Sequence, residues 1–278
     1  MFQGNLLMAN ISSKGQKSAS ADEMSFLEHL EQLRWHILRS LTAITVIAIG
    51  VFVAKDFVFD NVIMAPTRKD FFTYQFLCSL GEQLCIYPEG ITIYTRQLGE
   101  QFVIHLKTSF WLGLIVAFPY VFYEFWKFIS PGLYEKERKA ARGVVFVCSS
   151  LFLSGVLFGY FVISPFAVTF LSSYSVSPEV ANTFTLSSLV DYMTMFTLPT
   201  GIIFQLPVVM YFLAKVGIIT SEFLKQYRRH SIVIILIAAS IITPPDVITQ
   251  ILISTPLYLL YELSIIVVKR VEKKTEEA

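Results

Sequence analysis

The chain has 278 residues, of which 54% are hydrophobic, 15% aromatic and only 15% charged, with a formal net charge of +1 and a mean hydropathy of +0.60. A soluble domain carries about a quarter charged residues. This deficit, gathered into long apolar runs, excludes an ordinary cytosolic enzyme, a disordered chain and a nucleic-acid binder with a broad basic face, and it identifies a polytopic membrane protein.

Residues 1–23 are polar, rich in Ser, Lys and Gln, and lack the apolar core of a cleavable signal; they read as a disordered N-terminal extension. The membrane domain is expected over 24–268 and a charged cytoplasmic tail over 269–278. From Phe26 to Arg34, leucines at 27, 30 and 33 recur with acidic residues between them, predicting an amphipathic helix lying at the interface. A spanning helix needs roughly 20 apolar residues. Six candidate segments follow, at 37–54, 108–129, 143–171, 190–214, 231–242 and 247–268. The stretch 55–107 forms a long outward loop. Its Cys78 and Cys85 pair if it faces an oxidising compartment and otherwise remain free thiols. The third segment reaches about 43 Å at 1.5 Å per residue and has to tilt, bend or project. The fifth is short, stopped behind by Arg228, Arg229 and His230, and needs a thinned bilayer or shelter from its neighbours. Thr243-Pro244-Pro245-Asp246 predicts a tight hairpin between the last two segments.

Orientation follows from Lys and Arg. Of the 22, only Lys55, Arg68, Lys69, Arg96 and Lys107 fall on the side of the long loop; the other seventeen lie on the side of the two termini. Both termini are expected inside. Pro119, Pro165, Pro199, Pro207 and Pro256 lie in the segments, and bends at the deeper Pro119 and Pro207 predict a concave face. No internal repeat is evident, which weakens the case for an inverted-repeat transporter.

Polar groups inside the membrane are functional candidates by default. Gln205, mid-segment beside Pro207, either bonds a neighbouring helix to hold the bundle or docks a polar residue of a partner helix. Glu124 is expected to pair with Lys127, three residues on. Glu262 has no sequence-local partner and should face protein or a water-filled cavity. His29, His36, His105 and His230 are isolated and read as interfacial anchors.

Four motifs carry a family resemblance: Phe26-Leu27-Glu28-His29-Leu30-Glu31-Gln32-Leu33-Arg34; Pro119 with Trp126-Lys127-Phe128-Ile129-Ser130-Pro131-Gly132-Leu133-Tyr134-Glu135-Lys136-Glu137-Arg138; Phe204-Gln205-Leu206-Pro207; and Thr243-Pro244-Pro245-Asp246. In this order on this chain, they resemble the TatC family, the receptor subunits of the twin-arginine protein translocase, over essentially all of 24–268. The resemblance implies an all-α membrane protein, a curved, concave bundle of six transmembrane helices with both termini cytoplasmic, in the bacterial inner membrane. It implies binding of twin-arginine signal peptides of folded cargo and recruitment of TatA-type and TatB-type single-span subunits. Self-association in a receptor complex and export driven by the proton-motive force come with it, without catalysis, cofactor, metal or nucleic acid. For the signal-peptide site it points to Glu137, the loop carboxylate, with Arg138, Leu133 and Phe128, and to Gln32, Glu31 and Arg34 on the N-terminal segment. The family's second carboxylate falls in register at Gln32, an amide that accepts one hydrogen bond, while Glu31 next door supplies charge. Gln205, with Pro207, takes the partner-helix docking role that a glutamate often fills in the family. Pro119, Glu124 and Asp246 are assigned structural roles. The competing readings are an ion-coupled small-solute transporter lined by Glu124 and Glu262, and an intramembrane enzyme, which would need paired aspartates, a Ser-His dyad or an H-E-x-x-H zinc motif.

Overall fold

The computed structural model of the chain describes residues 26–82, 85–88, 91–129, 141–177, 179, 182–242 and 247–276. These form α1 (Phe26–Val53), α2 (Lys55–Val58), α3 (Phe72–Leu80), α4 (Glu100–Ile129), α5 (Ala141–Phe158), α6 (Ser164–Ser173), α7 (Leu186–Ile203), α8 (Leu206–Lys215), α9 (Ser221–Gln226), α10 (Arg228–Ile242) and α11 (Val247–Glu276), with two-residue strands β1 (Ile93–Tyr94) and β2 (Phe184–Thr185). The protein is an all-α membrane protein. Five stretches are long and apolar enough to cross a bilayer: Leu30–Val53, Glu100–Ile129, Gly143–Ser173, Leu186–Lys215 and Thr249–Lys273.

Several boundaries differ from expectation for identifiable reasons. No Gly or Pro interrupts the chain between Phe26 and Ile49. The segment expected to lie at the interface is therefore the first turns of one continuous α1 of 28 residues. The predicted 231–242 segment is part of α10, whose 15 residues span only about 22 Å at 1.5 Å per residue. The trio at 228–230 lies inside this helix and does not stop it, and Arg228 Nη2 donates to Glu262 Oε2 of α11 at 2.7 Å. The expected tail is helical as far as Glu276.

The prolines act unequally. α4 runs through Pro119 without a break. Pro207 coincides with a real interruption, as α7 ends at Ile203 and α8 restarts at Leu206. Near Pro165 the third span widens into a π-type turn over Gly159–Ile163. Pro165 has no N–H to offer the Phe161 carbonyl four residues back; the Thr73 hydroxyl of the outer loop donates to that carbonyl at 2.5 Å.

That contact belongs to a set fastening the loop to the bundle. The Tyr74 hydroxyl, on a side chain 1% exposed, donates to the Pro66 carbonyl at 2.8 Å and approaches that of Pro165 at 3.2 Å. Tyr160 donates to the Val62 carbonyl at 2.8 Å. Cys78 and Cys85 form a disulfide. β1 and β2 pair in parallel, Ile93 with Phe184 and Tyr94 with Thr185, joining the loop before α4 to the loop before α7. Beneath this layer Val58, Ile63, Ile104, Val168, Leu189 and Val190 form an outer core, while Phe196, Phe204, Leu224, Ile253, Leu257 and Tyr261 form a larger one among α6 to α11.

Small residues let the helices close. A Cβ at Gly113 of α4 would stand 2.9 Å from the Ala48 Cα of α1, and one at Gly155 of α5 would stand 2.9 Å from the Gly201 Cα of α7. α1 packs chiefly on α4. Only 6% of its apolar window is buried, so it lies at the edge of the bundle.

Candidate functional site

Two polar loci interrupt the apolar bundle where the sequence placed candidates. The first is the seam between the start of α1 and the end of α4. On α1, Gln32, His36 and Arg39 fall at i, i+4 and i+7 and so share one face. Across from them Glu124 of α4 is 3% exposed. The His36 Nδ1 proton is donated to Glu124 Oε2 at 2.5 Å, and Arg39 Nη1 stands 3.9 Å from the same oxygen. Tyr120, one turn earlier on α4, also faces this carboxylate. Phe128, one turn later, sets its ring edge-on to the imidazole, with centroids 6.0 Å apart. Glu124 thus turns to α1 rather than to Lys127 as the sequence suggested. Lys127 lies on the exposed side of the helix, and a carboxylate taken out of solvent needs partners buried with it.

His36 is accordingly a half-buried hydrogen-bond partner and not an isolated anchor. His105 is likewise packed, stacked on Phe52 with centroids 3.9 Å apart. Sequence reasoning missed the seam because Glu124 lies 88 residues from His36. The usable signal was the His36–Arg39 spacing on one span and a glutamate without an apolar excuse on another. Of the residues assigned to the signal-peptide site, Glu31, Gln32 and Arg34 are exposed on α1, and Phe128 is half-buried beside His36. Leu133, Glu137, Arg138 and the hairpin with Asp246 lie outside the described residues.

The second locus is Gln205, in the interruption between α7 and α8, next to the buried Pro207. Its Nε2 donates to the Cys148 carbonyl of α5 at 3.0 Å. A carbonyl only accepts, so this bond fixes which way the amide faces. Oε1 is buried with no hydrogen-bond partner, as is Oγ of Ser149 beside Cys148. Both readings of Gln205 therefore find support: one end of the amide ties two helices together, and the other remains a free acceptor. Leaving such a group unpaired costs about 1–3 kcal/mol, which favours a donor arriving from elsewhere. Glu262 faces protein, as expected: besides Arg228 it accepts from the Tyr258 hydroxyl at 3.0 Å.

Comparison with known proteins shows which family the chain resembles. The sequence model of the TatC family, described as Sec-independent protein translocase protein (TatC), matches residues 28–256. Curated relatives include the Sec-independent protein translocase protein TatC of Blattabacterium sp. subsp. Periplaneta americana (strain BPLAN), 39% identical over 260 residues covering 91% of this chain and 98% of the relative. TatCy of Bacillus subtilis (strain 168) is 30% identical, with 92% and 93% covered. A crystal structure of the twin-arginine translocase receptor TatC superimposes with a TM-score of 0.68 at 32% identity, covering 88% of this chain and all of that one.

Proposed function

The chain belongs to the TatC family of Sec-independent protein translocase proteins, and from that membership we infer that it is the twin-arginine translocase receptor of a bacterial inner membrane. Its ligand on this reading is a signal peptide with two consecutive arginines. A guanidinium is permanently charged and presents a planar fork that a carboxylate grips through two parallel hydrogen bonds. Glu137 is assigned to one arginine, flanked by Arg138 and Leu133. For the other, Gln32 offers its amide oxygen and Glu31 its charge, with Arg34 and Phe128 alongside. One observation carries this reading: because His36 meets both Glu124 and Phe128, the chain leaves α4 at Ile129 next to the exposed turn holding Gln32. Glu137 follows eight residues later in the chain.

The remaining assignments follow from the same premise. Gln205, beside Pro207, receives the polar residue of a TatA-type or TatB-type single-span subunit, and its unpaired Oε1 supports that role. Six spans with both termini inside are the reading for topology, with α10 as the short fifth. The charge distribution supports it, and so does the Cys78–Cys85 disulfide, since such bonds persist on the oxidising side of a membrane. Transport of folded cargo draws on the proton-motive force, and the receptor self-associates; no chemical step is assigned to the chain itself.

Photo-crosslinkers at positions 31, 32, 34, 128 and 137, challenged with a twin-arginine peptide with and without a TatA-type subunit, test the site. Crosslinks at these positions, lost in Glu137→Ala and weakened less in Gln32→Ala, are the expected result. Intact crosslinking and export in Glu137→Ala would overturn the assignment.

A further inference from the structure

A groove of about 520 Å³ runs between α4, α5 and α7 directly beneath the outer loop. Its walls are apolar, formed by Leu112, Ile115, Val156, Leu157, Val190 and Met193 among others. The wall hydroxyls of Thr194 and Thr197 are bonded back to the carbonyls of Val190 and Met193, both at 2.8 Å, and that of Tyr160 to Val62. These groups ask for no water. Leu157 and Phe72 line the groove yet are 53% and 66% exposed, so its mouth opens sideways among side chains that face lipid.

The rim on the loop side is different. Asp60, Asn61, Arg68 and Asp70 all line it and are all exposed. Among the described residues, neither Arg68 nor the two aspartates make an ion pair. Lys69, next in the chain, is committed elsewhere, 4.5 Å above the Tyr87 ring. The groove thus couples an apolar slot to a rim of one cation, two carboxylates and an amide.

We propose that this groove holds one acyl chain of a phospholipid with a primary ammonium headgroup, drawn from the leaflet on the side of the outer loop, its phosphate on Arg68 and its ammonium on Asp60 and Asp70. Size selects the occupant. One turn of a helix 10–12 Å across with a 5.4 Å pitch already fills about 500 Å³, so a partner's spanning helix would leave nearly all of its length outside. A single extended hydrocarbon chain fits. The rim selects the headgroup: a net-acidic rim repels a purely anionic lipid, and a quaternary ammonium brings no N–H to the carboxylates.

Native mass spectrometry of the full chain in mild detergent, titrated with phosphatidylethanolamine, phosphatidylglycerol and phosphatidylcholine of identical chains, tests this. One phosphatidylethanolamine adduct is expected, retained at least tenfold better than the other two. D60N with D70N should abolish that preference, R68Q should weaken retention of all three phospholipids, and Leu157→Trp, at a site exposed enough to tolerate the change, should block the mouth. Equal retention of the three lipids, or retention unmoved by the rim and mouth variants, would overturn the proposal. Circular dichroism and monodispersity of each variant separate loss of the site from loss of the fold.

Discussion

His36→Ala isolates the energetics of the α1–α4 seam. It removes the 2.5 Å donor from a carboxylate whose side chain is 4% exposed, leaving the Tyr120 hydroxyl and Arg39 at 3.9 Å, and Arg39 is itself 51% exposed. Stripping one partner from a buried pair costs about 3–5 kcal/mol. Arg39 can move inward and recover part of that, so the lower end, about 3 kcal/mol, is expected. At about 2–4 °C per kcal/mol for chains of 150–250 residues, the apparent melting temperature in detergent should drop by at least about 6 °C. The reverse deletion is milder, because it orphans an imidazole that is 14% exposed, whereas His36→Ala takes a donor from a carboxylate that is only 4% exposed. Glu124→Gln keeps an acceptor for the Nδ1 proton and should cost about 1 kcal/mol. The double variant His36→Ala/Glu124→Leu removes both halves and should be more stable than His36→Ala alone. Thermal unfolding followed by intrinsic fluorescence of the parent, His36→Ala, Glu124→Leu and the double variant gives the four corners of the cycle. A coupling below about 0.5 kcal/mol, within the additivity of independent sites, would refute the idea that this pair registers α1 on α4.

Three further outcomes are expected. Gln205→Leu should abolish crosslinks to a TatA-type helix while leaving the unfolding free energy within about 1 kcal/mol of the parent, since it removes an unpaired acceptor along with one hydrogen bond. Burial pushes the Tyr74 phenol from the ordinary 10.0 up to about 12. An unfolded chain therefore ionises first, so the stability this burial confers is intact below pH 10.0 and is lost as pH rises to about 12, by roughly 1.4 kcal/mol per unit. Alkaline melting curves should show that slope and lose it in Tyr74→Phe. The Cys78–Cys85 bond closes a loop with a separation of 7 residues, for which chain entropy gives about 2.5 kcal/mol; reduction should speed proteolysis of the 72–88 stretch, and maleimide should label both thiols only after reduction.

The five long spans were legible because hydrocarbon demands a long apolar run wherever a helix crosses, and each run shows in the sequence without knowledge of its neighbours. The break at Pro207 was legible for an equally local reason, a missing donor. What the residues could not declare was pairing between distant elements. Glu124 had an attractive local cation in Lys127, and only the antiparallel packing of α1 on α4 shows that His36 outcompetes it. Gln205 was recognised as important from its depth and its place in the family motif. The direction of its amide depends on a backbone carbonyl, at Cys148, that no side-chain pattern encodes. The β1–β2 pairing, two residues on each side, is too short to leave any alternation to read.

That small parallel pairing has a mechanical consequence. Together with the Tyr74 and Thr73 bonds it clasps the front and rear portions of the chain at one end of the molecule. At the opposite end, among the described residues, the first helix packs chiefly on α4, where His36 meets Glu124. The α1–α4 pair is therefore held more firmly at its capped end, as in a pair of tongs whose pivot lies there. Excursions of the tips, where the chain leaves α4, require no rearrangement of the cap, because the cooperative units that open most readily are those with the fewest buried contacts.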